Sequence, residues 1–93
     1  MESIVIEYRP DAYPVVEAAL LAALAEAEST IVLDLDSLDS LDTDGVRGLI
    51  MLLRRARASG RDLSLSATKP SILRTLQVTA LDRLFGMVAA EPA

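Results

Sequence analysis

The stretch IVLDLDSLDSLDTDGVRGLIMLLRRARASGRDLSL, residues 31–65, decides the reading of this chain. Ile31-Val32-Leu33-Asp34-Leu35 is an apolar run with β-branched residues, the mark of a buried strand. An acidic turn follows. A helix over about 44–59 is predicted next, with Val46, Leu49, Ile50, Leu53 and Ala56 on its buried stripe. Gly60 suits the residue just past a helix end. Arg54, Arg55 and Arg57 stand in the last turns, where cations complement the helix dipole. Leu63 to Ala67 then reads as a second strand.

Working outward, Ile4-Val5-Ile6 opens another strand, ended by Pro10. Its weak alternation is expected of a strand covered on both faces. A helix is predicted over 12–28, with Val16, Leu20, Leu24 and Ala27 on one side. Pro70 suits the first turn of a short helix through about Val78. A final strand is expected at 84–88, and 89–93 reads as a tail. The order is βαβαβαβ, expected in a single α/β domain over 1–93. It calls for a mainly parallel four-stranded sheet with right-handed crossovers. In such sheets functional groups gather beyond the carboxyl ends of the strands. Asp36 to Gly45 falls there.

Composition narrows the chemistry. At 93 residues the chain can bury roughly 60 to 65% of its unfolded surface. Hydrophobic residues make up 52% and aromatic ones only 3%, so Leu, Val, Ile and Ala must build the core. Net charge is -5, which argues against nucleic acid as a partner. With no Cys and no His, disulfides, thiolate catalysis and Ser-His-Asp chemistry are excluded. The apolar run Val15 to Ala25 contains Glu17 and is too short to span a bilayer. MESIVIEYRP lacks the basic start of a signal peptide, so a cytoplasmic location without membrane insertion is expected.

Asp42-Thr43-Asp44-Gly45 is the candidate site. Thr43 reads in two ways. A hydroxyl at a helix start is commonly an N-cap, worth about 1 kcal/mol. It is also well placed to carry a phosphate, because helix N-termini accommodate anions. The acidic run Asp34, Asp36, Asp39, Asp42, Asp44 raises a metal. An EF-hand loop starting at Ser40 would need a carboxylate at Met51, so calcium of that type is excluded. Asp34-Leu35-Asp36 resembles the haloacid-dehalogenase phosphatase motif, with Asp34 as nucleophile and Asp36 as acid. Ser37-Leu38 replaces the Gly-Thr expected of that family. Arg47, Arg54, Arg55, Arg57 and Arg61 give the helix a basic face, read as solvated or as a docking face for an acidic partner.

From Thr30 to Phe85 the chain resembles a STAS domain of the anti-sigma-factor-antagonist type. The apolar strand, Asp-Thr-Asp-Gly, the Leu-rich helix with its Arg-rich end, Gly60, the Pro70 helix and Val78-Thr79-Ala80-Leu81-Asp82-Arg83-Leu84-Phe85 carry the resemblance. It implies a STAS-like sandwich and a non-enzymatic regulatory module with no cofactor of its own. The implied partner is an anti-sigma-factor serine/threonine kinase, which brings ATP and magnesium. The family turn reads Asp-Ser-Ser-Gly or Asp-Ser-Thr-Gly, with the first hydroxyl phosphorylated. Here Thr43 holds that position and Asp44 replaces the second hydroxyl. Asp36, Ser40, Asp42, Thr43, Asp44, Gly45 and Arg47 are the implied partner-binding residues. Within 1–93 the resemblance includes no counterpart expected of the family's opening hairpin or final helix. The alternative implied by the same resemblance is a STAS subunit of a lipid-transport ABC complex, a scaffold bound to an ABC-transporter subunit without phosphorylation.

Overall fold

Four parallel strands and four α-helices make up the computed structural model, which describes residues 3–26 and 30–87. Strands β1 (Ser3–Glu7), β2 (Thr30–Asp34) and β3 (Leu63–Ser66) form the body of the sheet. β4 (Gly86–Met87) adds a two-residue pairing to β3. The spatial order is β1-β2-β3-β4. Each strand therefore lies beside the next in sequence, and the connections are α1 (Tyr13–Leu24), α2 (Thr43–Ala58) and the pair α3 (Pro70–Val78) and α4 (Leu81–Leu84).

Right-handed crossovers between successive neighbours carry every helix to the same side. The burial pattern agrees. Ile6 and Tyr8 at the β1 end, Ile31, Leu33 and Leu35 at β2, and Leu63, Leu65 and Ala67 at β3 share one core. Val16 and Leu20 of α1, Leu49, Leu52 and Leu53 of α2, and Ile72 and Leu76 of α3 complete it. The other side of β1 carries Ser3, Val5 and Glu7, all exposed. This corrects the expectation that β1 is covered on both faces.

Local signals explain the element ends. α2 stops in a Schellman arrangement: Arg61 N–H donates to the Ala56 carbonyl and Gly60 N–H to the Arg57 carbonyl, both at 2.9 Å. Gly60 has φ +75°, which only glycine reaches without strain. α3 opens with Pro70, whose missing N–H costs nothing there. α1 is shorter than the predicted 12–28. A 3₁₀ turn at Pro10–Ala12 precedes it and a turn follows Leu24, while Ala27 lies outside the described residues. Its buried positions are Val16, Leu20 and Ala23, a 3.6 period.

The buried stripe of α2 is Gly45, Gly48, Leu49, Leu52, Leu53 and Ala56. Val46 and Ile50, predicted inside, are only half-buried. The face is turned toward Gly45 and Gly48 because a large side chain, Tyr8, lies beneath them. The final strand is also shorter than the predicted 84–88. Leu84 belongs to α4, and Val88 lies outside the described residues.

Candidate functional site

The site is the carboxyl end of the sheet, where β1 and β2 run out toward the first turn of α2. Asp42 is the N-cap. Its backbone is extended (φ −94°, ψ −176°) and its carboxylate accepts from Gly45 N–H at 2.8 Å. Thr43 is therefore the first helical residue and not the cap. It is exposed, and its hydroxyl makes no hydrogen bond among the described residues. Of the two readings of Thr43, the cap role passes to Asp42 and the hydroxyl is left available.

Tyr8 holds this turn from below. It follows β1, its N–H donates to the Asp34 carbonyl, and it is fully buried. Its hydroxyl donates to the Gly45 carbonyl at 2.6 Å. A Cβ on Gly48 would overlap that hydroxyl, so glycine at this helical position is what seats Tyr8. Tyr13 stands alongside, its hydroxyl buried without a hydrogen-bond partner among the described residues. Burial, then Tyr13, then Asp42 push the Tyr8 phenol up from 10.0 to about 12. Tyr13 is raised as well, by burial first and Glu17 second, with Arg55 opposing.

That shift has a measurable consequence. Between pH 10 and 12 the unfolded chain loses a proton that folded Tyr8 keeps, so stability falls as pH rises. The contribution is fully present below pH 10 and is lost through pH 12. At 1.36 kcal/mol per decade of pH the loss is about 2 to 3 kcal/mol. Urea melts from pH 8 to 12 check it: Tyr8→Phe removes the part of the decline due to Tyr8 and leaves that due to Tyr13.

Two shallow depressions flank the turn. One, of about 360 Å³, is lined by Pro10, Asp11, Ser40, Leu41, Asp42, Asp44 and Gly45. It presents three carboxylates, from Asp11, Asp42 and Asp44. The other, of about 240 Å³, is walled by Tyr8, Pro10, Tyr13, Asp44, Arg47, Gly48 and Met51. Met51 is 50% exposed, an apolar contact beside Arg47 on the outer face of α2.

A family model described as "Mlab, STAS domain" matches residues 7–89. The chain belongs to the STAS domain family. Solved structures share the fold. The Thermotoga maritima protein TM1081, named a "putative anti-sigma factor antagonist", gives a TM-score of 0.71 in solution, at 18% identity over 92% of this chain and 73% of that one. Its crystal structure gives 0.68, again at 18% identity, over 96% and 74%. An anti-sigma factor antagonist from Mycobacterium paratuberculosis gives 0.66 at 23% identity, over 90% and 71%. At these identities the likeness is one of fold.

Within this STAS domain, Ser40, Asp42, Thr43, Asp44 and Gly45 come together at the turn, with Arg47 one helical turn on. Asp36 does not join them. Its carboxylate accepts from Thr68 N–H at 2.7 Å and from the Thr68 hydroxyl at 3.1 Å. It ties the loop after β2 to the loop after β3. Lys69 Nζ donating to the Leu38 carbonyl at 2.7 Å and the Ser71 hydroxyl donating to the Asp39 carbonyl at 3.3 Å add to the same join. Asp34 accepts from Asp36 N–H at 3.0 Å, so both carboxylates of the phosphatase-like pair are engaged in loop structure. Among the described residues no three Asp, Glu, His or Cys side chains stand close enough to hold a metal. Nor is any helix there long and apolar enough to cross a membrane.

The basic face is also narrower than the sequence implies. Arg55 pairs with Glu17 of α1 at 2.9 Å. Arg57 pairs with Asp62 at 2.9 Å and donates to the Leu84 carbonyl at 2.9 Å. Arg61 donates to the Leu24 and Glu26 carbonyls. Arg47 and Arg54 make no ion pair among the described residues and stay exposed. Sequence reading missed Tyr8, Asp11, Tyr13, Gly48 and Met51. The signal for Tyr8 was present: one of two tyrosines in a chain with 3% aromatics, at the carboxyl end of a strand.

Proposed function

We propose that this STAS domain is a regulatory binding module of the anti-sigma-factor-antagonist kind. It engages an anti-sigma-factor serine/threonine kinase through the turn 40–45 and the outer face of α2, where Arg47 and Met51 lie. It carries no catalysis and needs no cofactor of its own. One observation supports this reading above the others. Thr43 is exposed at the first position of α2 with its hydroxyl uncommitted, because Asp42 performs the capping. The names of the similar solved structures point the same way.

In this reading the kinase transfers the γ-phosphoryl group of its ATP to Thr43. The added dianion stands between Asp42 and Asp44 in sequence, on a turn already acidic. In a closed interface that charge is desolvated without a counter-charge, and the complex opens. Titration of the domain against such a kinase, wild type beside Thr43→Glu, tests the reading.

Asp44 favours a second reading. A permanent carboxylate beside the acceptor, with Asp11 and Asp42 close by, opposes phosphate addition. A scaffold that docks the same turn permanently, as in a lipid-transport ABC complex, has no need of that addition. Absence of transfer to Thr43 together with stable binding to a transporter subunit would favour the scaffold.

A further inference from the structure

We infer that two copies of this chain join edge to edge through β1, forming one continuous eight-stranded sheet about a two-fold axis at Val5. β1 is an end strand of the sheet. Tyr8 N–H donates to the Asp34 carbonyl of β2. Backbone groups in a strand alternate in direction, so Ile4 and Ile6 also face β2 while Ser3, Val5 and Glu7 aim theirs at the edge that no described strand pairs with. An antiparallel pairing centred on Val5 matches Val5 with Val5, and Ser3 with Glu7, in both directions. All three pairs are of the hydrogen-bonded kind and exchange six N–H···O bonds. On the side chains, Ser3 can donate to the Glu7 carboxylate of the second copy, and the two Val5 side chains meet. Val5 is 61% exposed in one copy.

The groove beside this edge fits the same occupant. It has a volume of about 740 Å³ and is bounded by β1, by Ala12 just before α1, and by Val15, Ala19 and Ala22 of α1. These positions recur every three or four residues, on one side of the helix. Val15 is 69% exposed. A two-fold through Val5 sets α1 of each copy antiparallel to the other across the junction, and the alanines let the helices approach. Charge fits as well. Arg9 lines one end of the groove and Glu26 the other. The two-fold brings each Arg9 to the Glu26 of the second copy, twice. A parallel approach would do neither.

Sedimentation equilibrium of the full chain tests this. The expected species has twice the 10.0 kDa mass of one chain. Val5→Pro removes only an outward-facing donor, and Val15→Glu changes an exposed side chain. Each is expected to weaken the dimer at least about tenfold while the monomer still melts cooperatively. If Val5→Pro fails to fold, Val15→Glu carries the test. Arg9→Glu alone weakens association, and adding Glu26→Arg restores it. A chain that stays at 10.0 kDa up to about 1 mM overturns the inference, as it would if the edge instead held an extended peptide of another protein. A dimer that keeps its affinity in both Val5→Pro and Val15→Glu uses another surface and overturns it too.

Discussion

Gly48→Ala is expected to destabilise the fold by about 2 to 4 kcal/mol, against the usual direction for this exchange. Replacing a mid-helix glycine by alanine ordinarily stabilises by about 1 kcal/mol. Here the new methyl overlaps the hydroxyl of Tyr8. Tyr8 is fully buried and cannot swing into solvent. Overpacking of that kind costs about 1 to 3 kcal/mol. Displacing the ring also breaks its 2.6 Å bond to the Gly45 carbonyl, leaving the buried Tyr8 hydroxyl without its acceptor at a further cost of about 1 to 3 kcal/mol. The clash and the lost bond outweigh the gain in helix propensity. Against a total of about 5 to 10 kcal/mol for a domain of this size, the loss is severe. Tyr8→Phe in the same background removes the overlapping oxygen. The double variant should therefore be more stable than the sum of the single costs by about 1 kcal/mol or more. Urea denaturation of the four proteins measures this, and a Gly48→Ala protein as stable as wild type would rule out the close seating of Tyr8.

The second large effect is on binding. Thr43→Glu is expected to weaken the proposed kinase complex by at least about 2 kcal/mol, roughly thirtyfold in Kd, while Thr43→Ala stays near wild type. The difference rests on who caps α2. Asp42 accepts from Gly45 N–H, so losing the Thr43 side chain removes no cap and should change folding stability by no more than about 0.5 kcal/mol. Asp42→Ala, in contrast, should cost about 1 kcal/mol of stability. Glu at 43 keeps a favourable position at the positive end of the helix dipole, so the domain still folds. In the complex it adds a third carboxylate to the run between Asp42 and Asp44, and that charge is desolvated without a partner. Calorimetric titration separates the two variants. Equal affinities would assign Thr43 no part in the interface and would favour the permanent scaffold.

The sequence was informative wherever a local rule governs. The run Ile31–Leu35, Gly60 past the end of α2 and Pro70 at the start of α3 each state their structure in their own side chains or backbone freedom. Within Asp42-Thr43 both residues can cap. The backbone angles at Asp42 decide between them, and composition does not carry those angles. Asp36 read as a partner-binding residue because Thr68, the group that occupies it, is 32 residues away. Arg55 and Arg57 read as part of a solvated or docking face for the same reason, since their partners Glu17 and the Leu84 carbonyl come from distant elements. Tyr8, Tyr13 and Asp11 reach the site only because β1 ends beside the first turn of α2. Gly48 was legible in one respect: a glycine in mid-helix costs about 1 kcal/mol and asks for a packing reason. Tyr8 is that reason.

The most direct measurement is the footprint of a bound anti-sigma-factor kinase on the amide NMR spectrum of the isotope-labelled domain. Perturbations are expected at Asp42, Thr43, Asp44, Arg47 and Met51, with Thr68 and the β3 strand unmoved. A complex whose footprint avoids the first two turns of α2, or the absence of any complex with such a kinase, would contradict the proposed role of this turn.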